Sequence, residues 1–281
     1  MPDPARLSTV LRAATQAFQD SPGRRGRLVR LDEAGEVFAT GDLHGNIENF
    51  RRILAQADLR AHPRRHLVLQ EAVHGPFRYP DGSDKSHQLL DLLAALKCQH
   101  PRQVHFLPGN HEFSQATNRS IGKGDDELND LFRAGVRTAY APRDDEIYAS
   151  YLALVAVAPL ALRTPNRIFL SHSLPSAKHL ARFDPAVLER DESEEADLEF
   201  GGAIHSLVWG RDNSPANAAA FLQKVDADLL VTGHVPCKEG FAVPNDYQII
   251  LDSLGSPACY CLFPTDRPLT HAELVQHIAT L

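Results

Sequence analysis

The sequence has few cysteines and no pattern that would join them. Its four cysteines are Cys98, Cys237, Cys259 and Cys261, and none belongs to a Cys-x-x-Cys pair. Cys259 and Cys261 are one residue apart, so in a strand their side chains would point to opposite faces. This usage argues against a disulfide framework or a thiolate zinc site, and it is typical of a protein from a reducing cytoplasm.

The sequence also lacks net positive charge and long apolar runs. A formal net charge of −7 argues against a general nucleic-acid-binding protein, because phosphate contacts need clustered lysine and arginine. The one basic cluster, RRGRLVR at residues 24–30, is short and contains glycine, and we expect a solvated loop there. The longest apolar run, residues 152–162, is too short to span a bilayer, and the N-terminal segment lacks the apolar core of a signal peptide. We expect a soluble, cytoplasmic protein with neither nucleic acid nor membrane as a partner.

What the sequence does contain is an alternation of strand and helix patterns. We predict a single domain over residues 1–281, with residues 1–36 as an N-terminal helical lead-in. Short apolar runs at 37–40, 67–69 and 104–107 predict strands, and segments with apolar residues at helical spacing separate them. Two later runs, YQIILD and ACYCLF, are expected to form a hairpin-like pair. This mixture predicts an α/β (α+β) protein with α and β layers around a two-sheet core.

Several predicted strands end in a short loop that carries side chains of the metal-ligand type. Any one of these residues alone would more often be a turn or cap residue, but five strand ends share the feature. Because open sheets collect their sites at one set of strand ends, loops that are distant in sequence can converge there. The residues that follow the successive strands are Asp42 and His44, Glu71 and His74, Asn110 and His111, His172, and finally His234.

The chemistry of these side chains indicates a reactive metal centre. Carboxylate, imidazole and amide ligands without thiolate suit Mn²⁺, Fe or Zn²⁺ better than they suit a structural zinc site. A carboxylate shared by two cations would hold them about 3.5–4 Å apart, lower the pKa of a bridging water and clamp the oxygens of a phosphate. We therefore predict two divalent metal ions, with Mn²⁺ preferred over Fe or Zn²⁺, and Glu71 as the shared carboxylate.

Two of the strand-end loops carry motifs that resemble a known family. GDLHGN at residues 41–46 and GNHE at residues 109–112, with a histidine after RIFL and another in VTGH, resemble the motifs of calcineurin-like metallophosphoesterases. Their order is similar to that of the phosphoprotein (serine/threonine) phosphatases. The resemblance extends over residues 37–263. It implies two packed mixed β-sheets flanked by helices on both sides, with the site at the sheet edges between them.

Carried over residue by residue, the resemblance implies a role for each strand-end side chain. His111 would be the general acid that protonates the leaving oxygen, a contribution of about 10²–10⁴-fold. Arg211, in VWGRD, falls where bacterial relatives carry an arginine that binds phosphate, and its planar guanidinium suits two phosphate oxygens at once. The ligands of the first metal ion would be Asp42 and His44, those of the second Asn110, His172 and His234, with Glu71 between the two ions.

The second motif departs from the family pattern. The family has GDxxDRG where this sequence has QEAVHGP at residues 70–76. Glu71 replaces the bridging aspartate and keeps its charge on a side chain that is one methylene longer. His74 replaces the aspartate that orients the general acid, and we expect an imidazole to orient His111 less well than a carboxylate does. The arginine of the motif is missing, and Arg78 could replace its phosphate contact by reaching in from the loop.

Three functions remain open on the sequence alone. The first is a metal-dependent phosphatase that hydrolyses phosphomonoesters by attack of a hydroxide between the metal ions, with phosphoserine or phosphothreonine as a candidate substrate. The second is an enzyme with the same metals that cleaves dinucleoside polyphosphates or other diesters. The third is a non-catalytic homologue that binds metal or a phosphorylated ligand without turnover, because its second motif is altered.

Overall fold

The fold consists of two mixed β-sheets that pack face to face, with helices on both outer sides. The computed structural model describes residues 3–123 and 126–281. Both sheets contribute to one buried apolar cluster, which includes Val68 from one sheet and Leu170 and Val231 from the other. Separate apolar clusters join each sheet to its outer helices. The predicted fold class, two mixed sheets within four layers, is confirmed.

The strands are numbered in chain order. Within the described residues, seven strands form one sheet, in the spatial order β1 (Arg24–Arg25), β2 (Leu28–Arg30), β8 (Ala161–Arg163), β9 (Ile168–Ser171), β10 (Leu229–Thr232), β12 (Gln248–Leu251) and β11 (Phe241–Asn245). Five form the second sheet, in the order β14 (Ile278–Thr280), β13 (Cys259–Pro264), β3 (Glu36–Asp42), β4 (Arg65–Gln70) and β5 (Val104–Leu107). A small antiparallel pair consists of β6 (Gly122–Lys123) and β7 (Asp126–Glu127).

The helices cover the outer faces of the two sheets. They are α1 (Pro4–Gln19), α2 (Ile47–Ala57), α3 (His87–Gln99), α4 (Asn110–Thr117), α5 (Leu128–Tyr140), α6 (Asp144–Val157), α7 (Ala177–Leu180), α8 (Glu195–Leu198), α9 (Ala203–Trp209), α10 (Pro215–Lys224) and α11 (His271–Gln276), with a 3-10 helix at Pro185–Glu189. Helices α1, α2, α3, α5 and α6 pack on the five-stranded sheet, whereas α7, α9 and α10 pack on the other. In the described part of the chain, no helix is both long and apolar enough to cross a membrane.

Parallel pairing brings the strand-end loops together. Strands β3, β4 and β5 run parallel to one another, and β9, β10 and β12 do the same in the second sheet. The predicted strands at 37–40, 67–69 and 104–107 are confirmed as β3, β4 and β5. Their residues are almost entirely buried, as expected for parallel strands that are covered on both faces. The loops after these strands therefore emerge at one edge, where parallel sheets place their sites.

The prediction of a hairpin-like pair near the C-terminus is wrong. Strand β12 pairs with β10 and β11 in the seven-stranded sheet, whereas β13 pairs with β3 and β14 in the other. The connection between them crosses from one sheet to the other. At the crossing, the Ser253 N–H donates to the Asp42 carbonyl (3.2 Å), and the Ser253 hydroxyl accepts from the Gly41 N–H (2.9 Å). Short apolar runs that are adjacent in sequence do not reveal which sheet each will join.

The prediction of a solvated loop at residues 24–30 is wrong, because this basic segment forms the antiparallel pair β1–β2. Arg27 is 2% exposed. Its guanidinium donates to the Val155 carbonyl (2.9 Å) and twice to the Ala158 carbonyl (2.8 and 3.0 Å), at the C-terminus of α6. These carbonyls have no partner within their own helix, and a cation there also complements the helix dipole. Burial lowers the pKa of Arg27 to about 9.

Replacing Arg27 with alanine is expected to lower the free energy of unfolding by about 3 kcal/mol. Hydrogen bonds from charged donors contribute about 1.5–3 kcal/mol each, and their loss leaves buried carbonyls unpaired. Urea unfolding followed by circular dichroism measures this change. Arg25→Ala, an exposed neighbour, is the matched control for charge and should change stability by no more than about 0.5 kcal/mol. Equal effects of the two substitutions would contradict this role for Arg27.

Candidate metal centre

The backbone is strained at four of the strand-end residues. His44, Glu71, His74 and His234 have positive φ angles of 43°, 35°, 60° and 69°. Residues other than glycine adopt this left-handed region at a cost of about 1–3 kcal/mol, and such strain clusters at functional sites. All four residues lie in the loops after β3, β4 and β10.

The Glu71 carboxylate lies between two groups of potential metal ligands. Its Oε2 is 3.2 Å from His44 Nε2, and its Oε1 is 3.5 Å from His172 Nε2. One group that could hold an ion consists of His44, Glu71 and His111, and the other of Asp42, Glu71 and His172. Within each group the ligand atoms lie within 4.8 Å of one another. Glu71 is the residue that these two groups share.

Two further predicted ligands lie beside His172. Asn110 Oδ1 and His234 Nδ1 are each 3.2 Å from His172 Nε2. The His234 backbone N–H donates to Asp42 Oδ2 (2.8 Å), and the other oxygen of Asp42 is 3.6 Å from His172 Nδ1. The structure therefore brings all six predicted metal ligands into one cluster, although they come from five different loops.

The unpaired atoms of the cluster fit a cation. Among the described residues, Asp42 Oδ1, His172 Nδ1 and His234 Nε2 are buried without a hydrogen-bond partner. Unpaired polar atoms in the interior are rare and costly. Carboxylate oxygen and imidazole nitrogen are ordinary ligands of divalent transition metals. A divalent ion could pair with Asp42 Oδ1, and each imidazole could offer it one ring nitrogen, so the donor set of these residues fits the metal ions that the sequence predicts.

The charges of the cluster also indicate a site that fits a cation. Burial and the neighbouring Glu71 raise the pKa of Asp42 well above its ordinary value. Burial also opposes ionisation of Glu71, but His172, His111 and His44 outweigh it and hold the pKa of Glu71 well below its usual range. Burial would lower the pKa of His44, but the Glu71 carboxylate raises it to about 10. Two carboxylates this close repel each other, and a cation between them removes that cost.

The other histidines of the cluster favour their neutral form. Burial lowers the pKa of His172 to about 4 and holds that of His234 well below its usual range. Neutral imidazole is the form that binds metal ions. These two side chains are therefore ready to bind a cation without first losing a proton at neutral pH.

Two motif glycines make room for the carboxylates. A Cβ atom at Gly109, the first residue of GNHE, would lie 2.1 Å from Glu71 Oε1. A Cβ atom at Gly233, within VTGH, would lie 2.3 Å from Asp42 Oδ1. Both distances are far below van der Waals contact, so a side chain at either position would displace a carboxylate of the cluster.

Glu112 is a site residue that the sequence analysis missed. It is 1% exposed, and its Oε1 accepts from the backbone N–H groups of Ala72 (2.7 Å) and Val73 (3.0 Å). Its Oε2 accepts from the Gly109 N–H (2.8 Å) at the start of α4. The available signal was its place in the first turn of a helix, where glutamate caps the preceding backbone. Glu112 thus ties the second-motif loop to the GNHE loop.

His74 contacts His111 as the family resemblance implies. The two Nδ1 atoms are 3.0 Å apart, and His74 Nε2 is 2.9 Å from the side-chain oxygen of Gln115, which the sequence analysis also missed. Burial lowers the pKa of His74 to about 4 and that of His111 to about 3. Both rings are neutral at neutral pH, so they do not repel each other.

The two predicted phosphate-binding arginines differ in their surroundings. Arg211 lines a cavity of about 470 Å³, and its charge helps to lower the pKa of His172 and of His234. Arg78 instead donates to the Gly75 carbonyl (2.8 Å) and lies 3.4 Å from Asp84 Oδ1. It lines a different cavity of about 350 Å³. A phosphate contact from Arg78 stays a prediction.

The fold and the cluster agree with the comparison to known families. The family model for calcineurin-like phosphoesterases matches residues 36–238, well over half of the chain, and the chain belongs to this family. This confirms the resemblance found in the motifs. The match includes all five strand-end loops, from the GDLHGN loop to the VTGH loop.

The curated relatives are serine/threonine phosphatases, the branch that the motif order indicates. A probable serine/threonine-protein phosphatase of Encephalitozoon cuniculi is 24% identical over 239 residues, which cover 79% of this chain and 47% of that protein. Serine/threonine-protein phosphatase 5 of Arabidopsis thaliana is 23% identical over 252 residues, covering 83% of this chain and 42% of that protein. The chain spans less than half the length of these relatives.

Solved structures of phosphatases share the fold. A protein serine/threonine phosphatase of Saccharomyces cerevisiae superposes with a TM-score of 0.68 at 15% identity, covering 100% of this chain and 89% of that one. A cold-active protein-tyrosine phosphatase of a psychrophilic Shewanella species gives a TM-score of 0.61 at 15% identity, covering 95% and 84%. At this identity the likeness is one of fold.

Proposed function

We propose that this protein is a phosphatase that hydrolyses phosphomonoesters with two divalent metal ions, Mn²⁺ being preferred over Fe or Zn²⁺. The observation that carries this proposal is the position of Glu71, whose two oxygens face two different ligand groups. Bound ions would stabilise the charge that develops on the phosphate and lower the pKa of a water molecule. As the family motifs imply, the proposed ligands of the first ion are Asp42, His44 and Glu71, and those of the second are Glu71, Asn110, His172 and His234. Asp42 lies 3.6 Å from His172 Nδ1, so it also lies close to the second group.

We propose that His111 donates a proton to the leaving oxygen. The backbone N–H of His111 donates to Glu71 Oε1 (3.0 Å), which holds the residue beside the metal ligands. The pKa of about 3 is that of the site without a substrate. A phosphate dianion beside the ring favours the protonated imidazole, because an opposite charge stabilises the charged form. His111 would thus gain its proton together with the substrate.

Arg211 would bind the phosphate oxygens at the mouth of the site. It is exposed, and among the described residues none accepts a hydrogen bond from it. The cavity beside it also contains Arg119 and His179, so several cationic or titratable groups surround the space that the rest of a substrate would fill. Phosphoserine or phosphothreonine in a protein is the proposed substrate class, supported by the names of the curated relatives.

A second candidate function is supported by the rings in the same cavity. Phe200, His205 and Trp209 line it, with the rings of His205 and Trp209 stacked at 5.8 Å. Phe200 is 72% exposed. The exposed Phe200 ring, with Trp209 partly exposed beside it, could stack the base of a dinucleoside polyphosphate, since base–aromatic stacking contributes about 1–3 kcal/mol. The enzyme would then cleave a diester or anhydride with the same metal ions.

Protein stripped with EDTA is expected to hydrolyse p-nitrophenyl phosphate only after Mn²⁺ is added, because the ligand cluster needs cations to bind the substrate. Phosphoserine peptides and a dinucleoside tetraphosphate, compared in the same assay, separate the two candidate functions by kcat/KM. Full turnover in EDTA would contradict a role for metal ions. Mn²⁺ binding with no turnover of any substrate would instead indicate the non-catalytic homologue.

A further inference from the structure

We propose that Gln115 is a positioning residue: its side-chain carbonyl selects the tautomer of His74, and through His74 it determines which nitrogen of His111 faces the substrate. The inference rests on the proposed function, in which His111 is the general acid. It also explains how a histidine can stand where the family has an aspartate.

The three side chains form a hydrogen-bonded row. His111 and Gln115 are four residues apart on α4, so they lie on the same face of the helix. The His74 ring bridges them: its Nδ1 is 3.0 Å from His111 Nδ1, and its Nε2 is 2.9 Å from Gln115 Oε1. His74 and Gln115 are 6% and 7% exposed, so little water competes for these contacts.

The amide oxygen of Gln115 imposes a direction on this row. A carbonyl oxygen can only accept, so the proton of neutral His74 must be on Nε2. His74 Nδ1 then carries a lone pair and must accept, which requires the proton of His111 to be on Nδ1. His111 Nε2 is left to hold the proton that goes to the leaving oxygen. In other proteins too, the hydrogen bond that one ring nitrogen of a histidine makes sets its tautomer.

Neighbouring contacts hold each member of the row in place. The amide NH₂ of Gln115 donates to the Tyr148 hydroxyl (2.6 Å), while its amide oxygen faces His74. The Arg133 guanidinium lies 4.2 Å from the centre of the Tyr148 ring. The backbone N–H of His74 donates to the Ser86 hydroxyl (2.9 Å). Contacts from α5 and α6 therefore hold Gln115 on α4, and the Ser86 contact holds His74 in the second-motif loop.

A carboxylate at position 74 would need no such selection. Both of its oxygens accept, whatever lies behind them, whereas an imidazole accepts at one nitrogen only when the other carries the proton. The change to His74 thus creates a requirement for a hydrogen-bond acceptor behind the ring, and Gln115 meets it. The pair of His74 and Gln115 replaces what one aspartate does in the family.

Leaving-group dependence tests this role in the Mn²⁺-loaded enzyme. Gln115→Met is expected to lower kcat about 10–100-fold for phenyl phosphate without changing KM, as is typical when a positioning contact is lost. The effect on 2,4-dinitrophenyl phosphate should stay within about threefold, because that leaving group departs without a proton. Gln115→Glu, which keeps an acceptor, should retain most of the rate at pH values where His74 is neutral, and in a His74→Asp background Gln115→Met should have little effect. Gln56→Met, at an exposed position, is the control.

Equal losses with both substrates, or an undiminished effect of Gln115→Met in the His74→Asp background, would overturn the proposal. Failure of wild-type protein to hydrolyse either ester would contradict the proposed function, and the row would then be tested without turnover. Nitrogen NMR of ¹⁵N-histidine-labelled, EDTA-treated protein should show His74 protonated on Nε2 and His111 on Nδ1. His74 protonated on Nδ1 would mean that the amide faces the other way, and would overturn the inference.

Discussion

Replacing Glu71 with glutamine is expected to lower kcat/KM by about 10³-fold or more. The amide keeps the size of the side chain but removes the negative charge that we place between two cations. Metal ions contribute several kcal/mol to stabilising a phosphoryl transition state, and about 4 kcal/mol corresponds to 10³-fold in rate. Steady-state hydrolysis of p-nitrophenyl phosphate over a range of Mn²⁺ concentrations measures the loss.

The stability of the same variant, with and without metal, separates a loss of metal binding from a loss of structure. In EDTA the substitution removes a carboxylate that raises the pKa of Asp42 and, together with burial, raises that of Glu112 to about 7. It also removes the ion pair with His44, whose pKa the Glu71 carboxylate raises to about 10, so the two effects oppose each other and the Tm in EDTA should change little. The rise in Tm on addition of Mn²⁺ should be smaller than in the wild type. Glu48→Gln, an exposed glutamate on α2, is the matched control and should leave both quantities unchanged. A variant that is less stable in EDTA yet binds Mn²⁺ normally would indicate that Glu71 is structural.

Replacing His111 with asparagine is expected to lower kcat for phenyl phosphate by about 10²–10⁴-fold, the usual contribution of a general acid. The asparagine can still donate a hydrogen bond but cannot supply a proton. The loss should be much smaller for 2,4-dinitrophenyl phosphate, whose leaving group is stable as an anion. The two rate constants, measured at saturating Mn²⁺, give the ratio that identifies proton donation.

Metal content separates this role from the alternative that His111 is itself a ligand, which its position beside His44 and Glu71 permits. If His111 is the general acid, the His111→Asn variant should bind as much Mn²⁺ as the wild type. His100→Asn, a histidine before β5 whose ring contacts Gln103, is the control and should match the wild type in rate. An equal rate loss for both esters, together with lower metal content, would assign His111 to the metal ligands instead.

Much of the fold and site was predictable because the signals are local. Strands β3, β4 and β5 are short, continuous apolar runs, and burial on both faces makes such runs conspicuous in sequence. Their ends are marked by changes from apolar to ligand-type residues, as at Asp42, Glu71 and Asn110. Parallel strands then place those ends at one edge, so the cluster follows from the topology.

What the sequence did not reveal depends on partners that are distant along the chain. Arg27 lies in a basic segment that resembles a surface loop, yet it is buried because the carbonyls at the end of α6 need donors. The roles of Glu112 and Gln115 depend on how closely the second-motif loop approaches α4, a distance that no local pattern encodes. The hairpin prediction failed for the same reason, since β12 and β13 find their partners in different sheets.

The claim that Glu71 is shared by two metal ions is tested most directly by locating the ions. Anomalous scattering from crystals of the Mn²⁺-loaded protein, with the metal content measured by mass spectrometry, gives their number and positions. We predict two ions per chain, about 3.5–4 Å apart, each bound by one oxygen of Glu71. A single ion, or two ions of which only one contacts Glu71, would contradict the account.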